Sequence, residues 1–254
     1  MQTVLKELNE ARMDARALLA VLIDPGKMSM KRLHHILTIA SVAPPDYFFV
    51  GGSTSERLDL ESTLNEVKQF CPNIPVVLFP GNETQISSQA DALLLLSLVS
   101  GRNPDLLIGK HVKAARQLVQ SGLEIIPTAY TLIDGGKTTT VAYLSQTQPI
   151  PREGTEIAAS TALASELLGM KLVYLEAGSG ARLPVPAEMI HAVHNACSVP
   201  LLVGGGIDSV EKLHLAYDAG ATLVVVGNAL EANPELLHDL HEAVNVRRIR
   251  FNVN

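Results

Sequence analysis

Two apolar runs near the carboxyl end of the chain stop at glycine. Leu201-Leu202-Val203 runs into Gly204-Gly205-Gly206-Ile207-Asp208-Ser209, and Thr222-Leu223-Val224-Val225-Val226 runs into Gly227-Asn228. Glycine lets backbone N–H groups approach an anion with no Cβ in the way. The positive end of a following helix, capped here by Asp208 or Ser209, adds to the attraction. Either turn alone would serve as an ordinary tight turn. Two of them on consecutive strands match the phosphate site after the seventh and eighth strands of a (β/α)8 barrel.

Carboxylates and hydroxyls stand at other strand ends. The run Leu18-Leu19-Ala20-Val21-Leu22-Ile23 ends in Asp24-Pro25-Gly26-Lys27, and Tyr47-Phe48-Phe49-Val50 ends in Gly51-Gly52-Ser53-Thr54-Ser55. Asp24 with Ser53 or Thr54 offers hard oxygen ligands of the kind Mg²⁺ takes when it also holds phosphates and water. Asp24 would alternatively cap a helix with Pro25 at its first position. Lys27 is within reach of a diphosphate, although a solvated lysine is the favoured reading. Glu176 closes the apolar strand Leu172-Val173-Tyr174-Leu175. An acid there is expensive to bury, so it reads as a base or a ligand for hydroxyls, with a salt bridge at the rim as the alternative. Tyr174 alternates with it and either bonds the phosphate or is plain core. The 8 histidines lie mainly in helical segments and read as surface residues.

These residues need a scaffold that gathers distant strand ends. Apolar strand-length runs recur at residues 18–23, 47–50, 75–79, 92–97, 124–130, 171–176, 201–203 and 222–226, mostly alternating with helical stretches. Unbroken apolar strands of this kind belong to parallel sheets covered on both faces. The spacing predicts a modified (β/α)8 TIM barrel in one domain spanning residues 1–254, with an amphipathic helix over residues 3–17 beneath it. About a dozen residues separate the third and fourth strands, too few for a full helix with two loops. That helix is expected to be reduced or missing. The longest interval, residues 131–170, reads as a functional flap or partner surface around an Ala-rich helix near residues 156–168.

Composition narrows the function. With 20 basic and 26 acidic residues the net charge is −6, and the one basic run is Arg247-Arg248-Ile249-Arg250, which argues against nucleic acid. An anionic substrate must therefore be held locally. The 2 cysteines, Cys71 and Cys197, have no metal spacing, and no apolar run approaches membrane-spanning length. A reducing, cytoplasmic setting is expected. Nucleophile-elbow, P-loop and Rossmann patterns are missing, and no lysine ends a strand as a Schiff base would require.

Together Ile23-Asp24-Pro25-Gly26-Lys27, Gly51-Gly52-Ser53-Thr54-Ser55, Phe79-Pro80-Gly81-Asn82, Leu96-Ser97, Ser100-Gly101-Arg102-Asn103-Pro104, the stretch from Tyr174 to Gly180, Val203-Gly204-Gly205-Gly206-Ile207 and Val226-Gly227-Asn228 resemble the geranylgeranylglyceryl phosphate synthases. The resemblance implies a Mg²⁺-dependent prenyltransferase of lipid biosynthesis, joining the C3 hydroxyl of sn-glycerol 1-phosphate to a polyprenyl diphosphate, geranylgeranyl diphosphate first. It implies Asp24 and Ser53 on the metal. It places Tyr174, Leu175, Glu176, Ala177, Gly178, Ser179, Gly180, Gly205, Gly206, Gly227 and Asn228 on glycerol phosphate, with Glu176 as the base. Leu22 stands where the bacterial heptaprenyl branch has lysine, and the long 131–170 segment is more like the larger branch, whose members form dimers or hexamers. Tyr130, Leu132 and Val99 are candidates to line the groove for the chain. Two alternatives remain: a phosphate-binding barrel isomerase or lyase of amino-acid biosynthesis, and a barrel that binds a phosphorylated metabolite without catalysis.

Overall fold

The computed structural model describes residues 3–52, 57–137 and 140–251. Its strands are β1 (Leu18–Ile23), β2 (Tyr47–Val50), β3 (Val76–Leu78), β4 (Ala92–Leu98), β5 (Glu124–Leu132), β6 (Leu172–Glu176), β7 (Leu201–Gly204) and β8 (Leu223–Val226). They pair in parallel in chain order, and β8 returns to β1 with Leu18 opposite Leu223 and Val21 opposite Val226, so the barrel is closed.

Side-chain alternation along these strands separates two cores. Leu19, Val21, Leu175, Val203 and Val224 face outward and pack under the helices. Leu18, Ala20, Phe49, Tyr174, Leu202 and Val225 face inward and fill the lumen. Carried two residues on along each strand, the inward set continues to Leu22 and Asp24, to Gly51, to Glu176, to Gly204 and to Gly227. Parity alone therefore sends Asp24, Gly51, Glu176, Gly204 and Gly227 into one mouth.

Outside the barrel lie α2 (Met30–Ala40), α3 (Arg57–Phe70), α4 (Lys110–Ser121), α6 (Thr155–Leu167), α7 (Ala187–Ala196), α8 (Val210–Asp218) and α10 (Leu236–Phe251), with the short α5 (Thr140–Ser145) and α9 (Asn228–Ala232) near the mouth. Between β3 and β4 there is no helix. Residues 79–91 form turns instead, tied down where Gln85 accepts from Gly81 N (2.8 Å) and donates to Gly52 O (3.1 Å). A π-helical turn, Asp105–Gly109, leads into α4. Asn233, in extended conformation, ends the short α9, and the last helix, α10, follows it from Leu236.

The opposite end is plugged by α1 (Val4–Met13), shorter than the predicted 3–17 because the chain turns at Ala15 with φ +50°. Glu124, at the start of β5, accepts from the backbone N–H groups of Thr3, Val4 and Leu5, each at 2.9 Å. A carboxylate there satisfies the free amides of a helix start and opposes its dipole. Arg12 donates to His194 O (2.7 Å) and Cys197 O (2.9 Å), fastening α1 to the end of α7. The basic run near the C-terminus has structural work: Arg247 pairs with Asp218 (2.6 Å) and Arg248 with Asp46 (2.5 Å).

Leu8 is 1% exposed and sits in the lumen core with Leu18 and Leu223. Leu8→Ala is expected to cost about 2–5 kcal/mol, the usual range for deleting a fully buried leucine. Urea denaturation checks this, and a cost under about 1 kcal/mol would mean that α1 is not part of the core.

Candidate active site

The mouth holds a cavity of about 260 Å³ lined by the ends of β1, β2, β6, β7 and β8. On its β1 side Asp24 is 6% exposed. Its Oδ1 accepts from Gly26 N (3.2 Å) and its Oδ2 meets Lys27 Nζ at 3.0 Å. The helix-cap reading of Asp24 is overturned: α2 begins at Met30 and is capped by Ser29, which accepts from Arg32 N. Asp24 instead makes a local turn that presents its carboxylate to the cavity. Gly52 stands against it, and a Cβ there would run into Asp24 Oδ2 and lie 2.5 Å from Cγ. The other expected metal ligand, Ser53, and its neighbour Thr54 lie outside the described residues.

Across the cavity the glycine turns form the corner that the sequence predicts. Gly205 and Gly206 have φ of +83° and +73°, a left-handed conformation that side chains rarely adopt. A Cβ on Gly205 would lie 2.6 Å from Glu176 Oε1 and 2.8 Å from Gly178 N. Ser209 caps α8 by accepting from Lys212 N (3.3 Å), while Asp208 pairs with Lys212 (2.7 Å). Lys27 Nζ donates to Ser179 Oγ (3.3 Å), Ser179 to Asn228 Oδ1 (2.7 Å), and Asn228 to Glu231 Oε2 (3.0 Å). Tyr174, Glu176, Ser179, Gly180, Gly205, Gly206, Gly227 and Asn228 all line the cavity. Leu175 and Ala177 point into the helix layer, so only their backbone faces the strand ends.

Glu176 is 6% exposed and accepts from Gly178 N at 2.6 Å. It has no ion-pair partner among the described residues, which sets aside the salt-bridge reading. Burial raises its carboxyl above the ordinary glutamate range, while Tyr174 and the Gly178 amide pull the other way. Tyr174 belongs to the lumen core and also lines the cavity. Its ring packs against Phe79 and Tyr130 with centroids 5.6 Å from each, and its buried hydroxyl, beside Glu176, lacks a well-formed hydrogen bond. Gly204 makes room for both, since a Cβ there would strike the Tyr174 hydroxyl and lie 3.0 Å from Glu176 Oε2.

Phe79 and Tyr130 also wall a second cavity, about 400 Å³ and mostly apolar, where a helix between β3 and β4 would otherwise lie. Leu93, Leu95, Ile86, Ala114 and Leu118 line it. Of the residues expected to line a prenyl groove, Tyr130 lines this cavity. Leu132 is buried in the lumen and Val99 packs under the helices. Sequence reasoning missed His111, which is bonded to Leu96 O (2.9 Å) in this cavity wall rather than standing on the surface. Lys27 stays solvent-exposed at the rim, as expected of a lysine there, but its ammonium also has two partners at the mouth, Asp24 and Ser179.

The first cavity is lined by the carboxylates of Asp24, Glu176, Asp208 and Glu231 and by the ammonium of Lys27, with Lys212 paired to Asp208 and Lys137 Nζ close to Gly180 at its edge. Burial raises the Glu231 carboxyl, Asn228 and Lys27 oppose that, and Asp24 adds to it. Such an acid-rich site repels phosphoryl groups unless a cation comes with them. No cluster of three or more His, Cys, Asp or Glu among the described residues would hold an ion unaided. The donor set suits Mg²⁺, which takes one or two carboxylates and completes its shell with water and phosphate oxygens.

Residues 13–245 match the PcrB family. The chain belongs to that family. Among curated PcrB relatives, the geranylgeranylglyceryl phosphate synthase of Spirosoma linguale is 48% identical over 237 residues, covering 93% of this chain and 95% of its own. That of Chitinophaga pinensis is 49% identical over 226 residues, 89% of each chain. The crystal structure of (S)-3-O-geranylgeranylglyceryl phosphate synthase from Thermoplasma acidophilum, in complex with its substrate sn-glycerol-1-phosphate, superposes with a TM-score of 0.89 at 33% identity. That match covers 96% of this chain and 99% of the other.

Gly205→Ala in this PcrB protein puts a Cβ where the backbone is left-handed and space is lacking. It is expected to weaken binding of a phosphate monoester by more than about tenfold, read by titration calorimetry. Gly122→Ala serves as the control, with φ +72° but nothing within 4 Å, and should leave binding unchanged. Equal affinity in both variants would show that the triple-glycine bend does not hold the anion.

Proposed function

We propose that residues 1–254 act as one barrel domain that joins the C3 hydroxyl of sn-glycerol 1-phosphate to a polyprenyl diphosphate, geranylgeranyl diphosphate first, releasing diphosphate and forming an ether. One observation carries this reading: the acid-and-glycine cavity and the apolar cavity share the wall made by Phe79 and Tyr130. A headgroup and a hydrocarbon tail would thus meet at one point.

In this reading the glycerol phosphate lies against Tyr174 to Gly180, Gly205-Gly206 and Gly227-Asn228, and the backbone amides of the two glycine turns replace part of the phosphate's hydration shell. The prenyl tail lies in the cavity of Leu93, Ala114 and Leu118, and its diphosphate on the Asp24 side. Mg²⁺, held by Asp24 and Ser53, would supply the positive charge that makes diphosphate a better leaving group. Glu176 accepts the proton of the C3 hydroxyl. The hydroxyl oxygen bonds to prenyl C1 as the C1–O bond to diphosphate breaks, and the electron pair leaves with the diphosphate. Because Glu176 is already buried and raised, ionised Glu176 is a stronger base than an exposed carboxylate. The Tyr174 hydroxyl lies beside Glu176, where it helps to hold the carboxylate that takes the proton.

Two buried, unpaired thiols, Cys71 and Cys197, fit a reducing cytoplasmic setting. Among the described residues no helix is long and apolar enough to cross a membrane. Leu167 and Leu168, 80% and 83% exposed, are apolar surface that a homo-oligomer, dimer or hexamer, would cover.

Incubating the protein with labelled sn-glycerol 1-phosphate and prenyl diphosphates should give an ether lipid only when Mg²⁺ is present, and a phosphometabolite isomerase activity in its place would overturn the reading. Glu176→Gln is expected to lose at least about a hundredfold in kcat while still binding glycerol phosphate, in line with the usual weight of a general base. Since burial raises the Glu176 carboxyl, the ionised base is lost as pH falls through a value above the ordinary glutamate range. The acid limb of kcat/KM should lie there and flatten in Glu176→Gln, and an unchanged limb would remove Glu176 from the base role.

A further inference from the structure

The mouth of the barrel must hold two phosphoryl groups, yet its described lining offers four carboxylates and one ammonium. That ammonium, Lys27, is engaged on both sides: Nζ lies 3.0 Å from Asp24 Oδ2 and donates to Ser179 Oγ at 3.3 Å. Its side chain is 31% exposed, so it reaches the cavity from the rim rather than from the core. The two anions are not equally provided for. The glycine corner has backbone N–H groups and the Asn228 amide for a phosphate, whereas on the Asp24 side Lys27 is the only positively charged side chain among the lining residues described. A cation on Asp24 and the Lys27 ammonium would repel one another across a shared carboxylate. A lysine has the flexible four-carbon stem needed to leave one oxygen for another.

We propose that Lys27 is the binding residue for the leaving diphosphate: paired with Asp24 in the substrate-free protein, it transfers its ammonium to the diphosphate oxygens when a divalent ion takes Asp24. The proposal rests on the prenyl-transfer reading and adds a residue to it. Lys27 is then a placeholder that keeps Asp24 compensated before loading and a counter-ion for the charge that develops as the C1–O bond breaks. Its link to Ser179, and through Ser179 to Asn228, couples the diphosphate side of the mouth to the glycerol phosphate side. No proton or electron changes hands at Lys27, so the ammonium stays an ammonium throughout.

Two variants test this, Lys27→Met, which keeps the stem without the charge, and Lys27→Arg, which keeps the charge. Binding is measured by titration calorimetry with three probes: inorganic pyrophosphate in the presence of Mg²⁺, sn-glycerol 1-phosphate, and Mn²⁺ alone. Lys27→Met is expected to weaken pyrophosphate by about tenfold or more and to leave sn-glycerol 1-phosphate within about threefold. Mn²⁺ affinity should stay equal or rise, because its competitor on Asp24 is gone. Lys27→Arg should recover most of the pyrophosphate affinity. Unchanged pyrophosphate binding in Lys27→Met overturns the proposal, as does an equal or larger loss on sn-glycerol 1-phosphate. A fall in Mn²⁺ affinity alongside pyrophosphate also overturns it, because it would mean that Lys27 merely holds Asp24 in place. Wild-type protein that shows the lysine-dependent pyrophosphate binding yet makes no ether lipid would sink the transferase reading and leave this one standing.

Discussion

Everything at the mouth depends on the hydrogen bonds that return β8 to β1. Closure fixes the parity of every strand, and parity decides which residues look inward. With Leu18 and Ala20 inside, Leu22 and Asp24 must follow; with Leu172 and Tyr174 inside, Glu176 must follow. Residues more than 150 apart in the chain, such as Asp24 and Glu176, thus arrive in one cavity through strand parity. A slip of one residue in any strand would turn its acid or glycine out into the helix layer.

Closure also creates a charge problem that the glycines and the lysine address together. Four acids converge where anions must bind, and the chain responds by removing side chains as much as by adding them. Gly52 beside Asp24, Gly204 beside Tyr174 and Glu176, and Gly205 beside Gly178 N each leave space that a methyl group would fill. In the proposed reading backbone amides serve as donors in place of cations, and the carboxylates are left for a metal and a proton.

Much of this was legible in the chain, and the reasons are physical. Parallel strands buried on both faces are unbroken apolar runs, so the barrel and its strand ends could be read directly, and the short β3–β4 interval betrayed the missing helix. Glycine at strand ends and the buried acids Asp24 and Glu176 stood out because both are costly unless used. What escaped depends on where flexible or loop side chains come to rest. Lys27 looked like any surface lysine, because nothing local says that Ser179, 152 residues later, will lie 3.3 Å from its ammonium. His111 looked like a helix-surface histidine, because the π-helical turn before α4 sets its rotation, and no periodicity announces such a turn. The role expected of Ser53 falls outside the described residues.

The absent helix between β3 and β4 has a consequence of its own. In a full (β/α)8 barrel that helix would shield the outer faces of two strands; here Leu93 and Leu95 look onto a void of about 400 Å³. In the proposed reading a prenyl tail settling there would restore the dispersion contacts that the architecture has forgone, so that ligand and scaffold would be interchangeable pieces of one wall. Such a barrel is a container whose missing stave is carried in by the cargo.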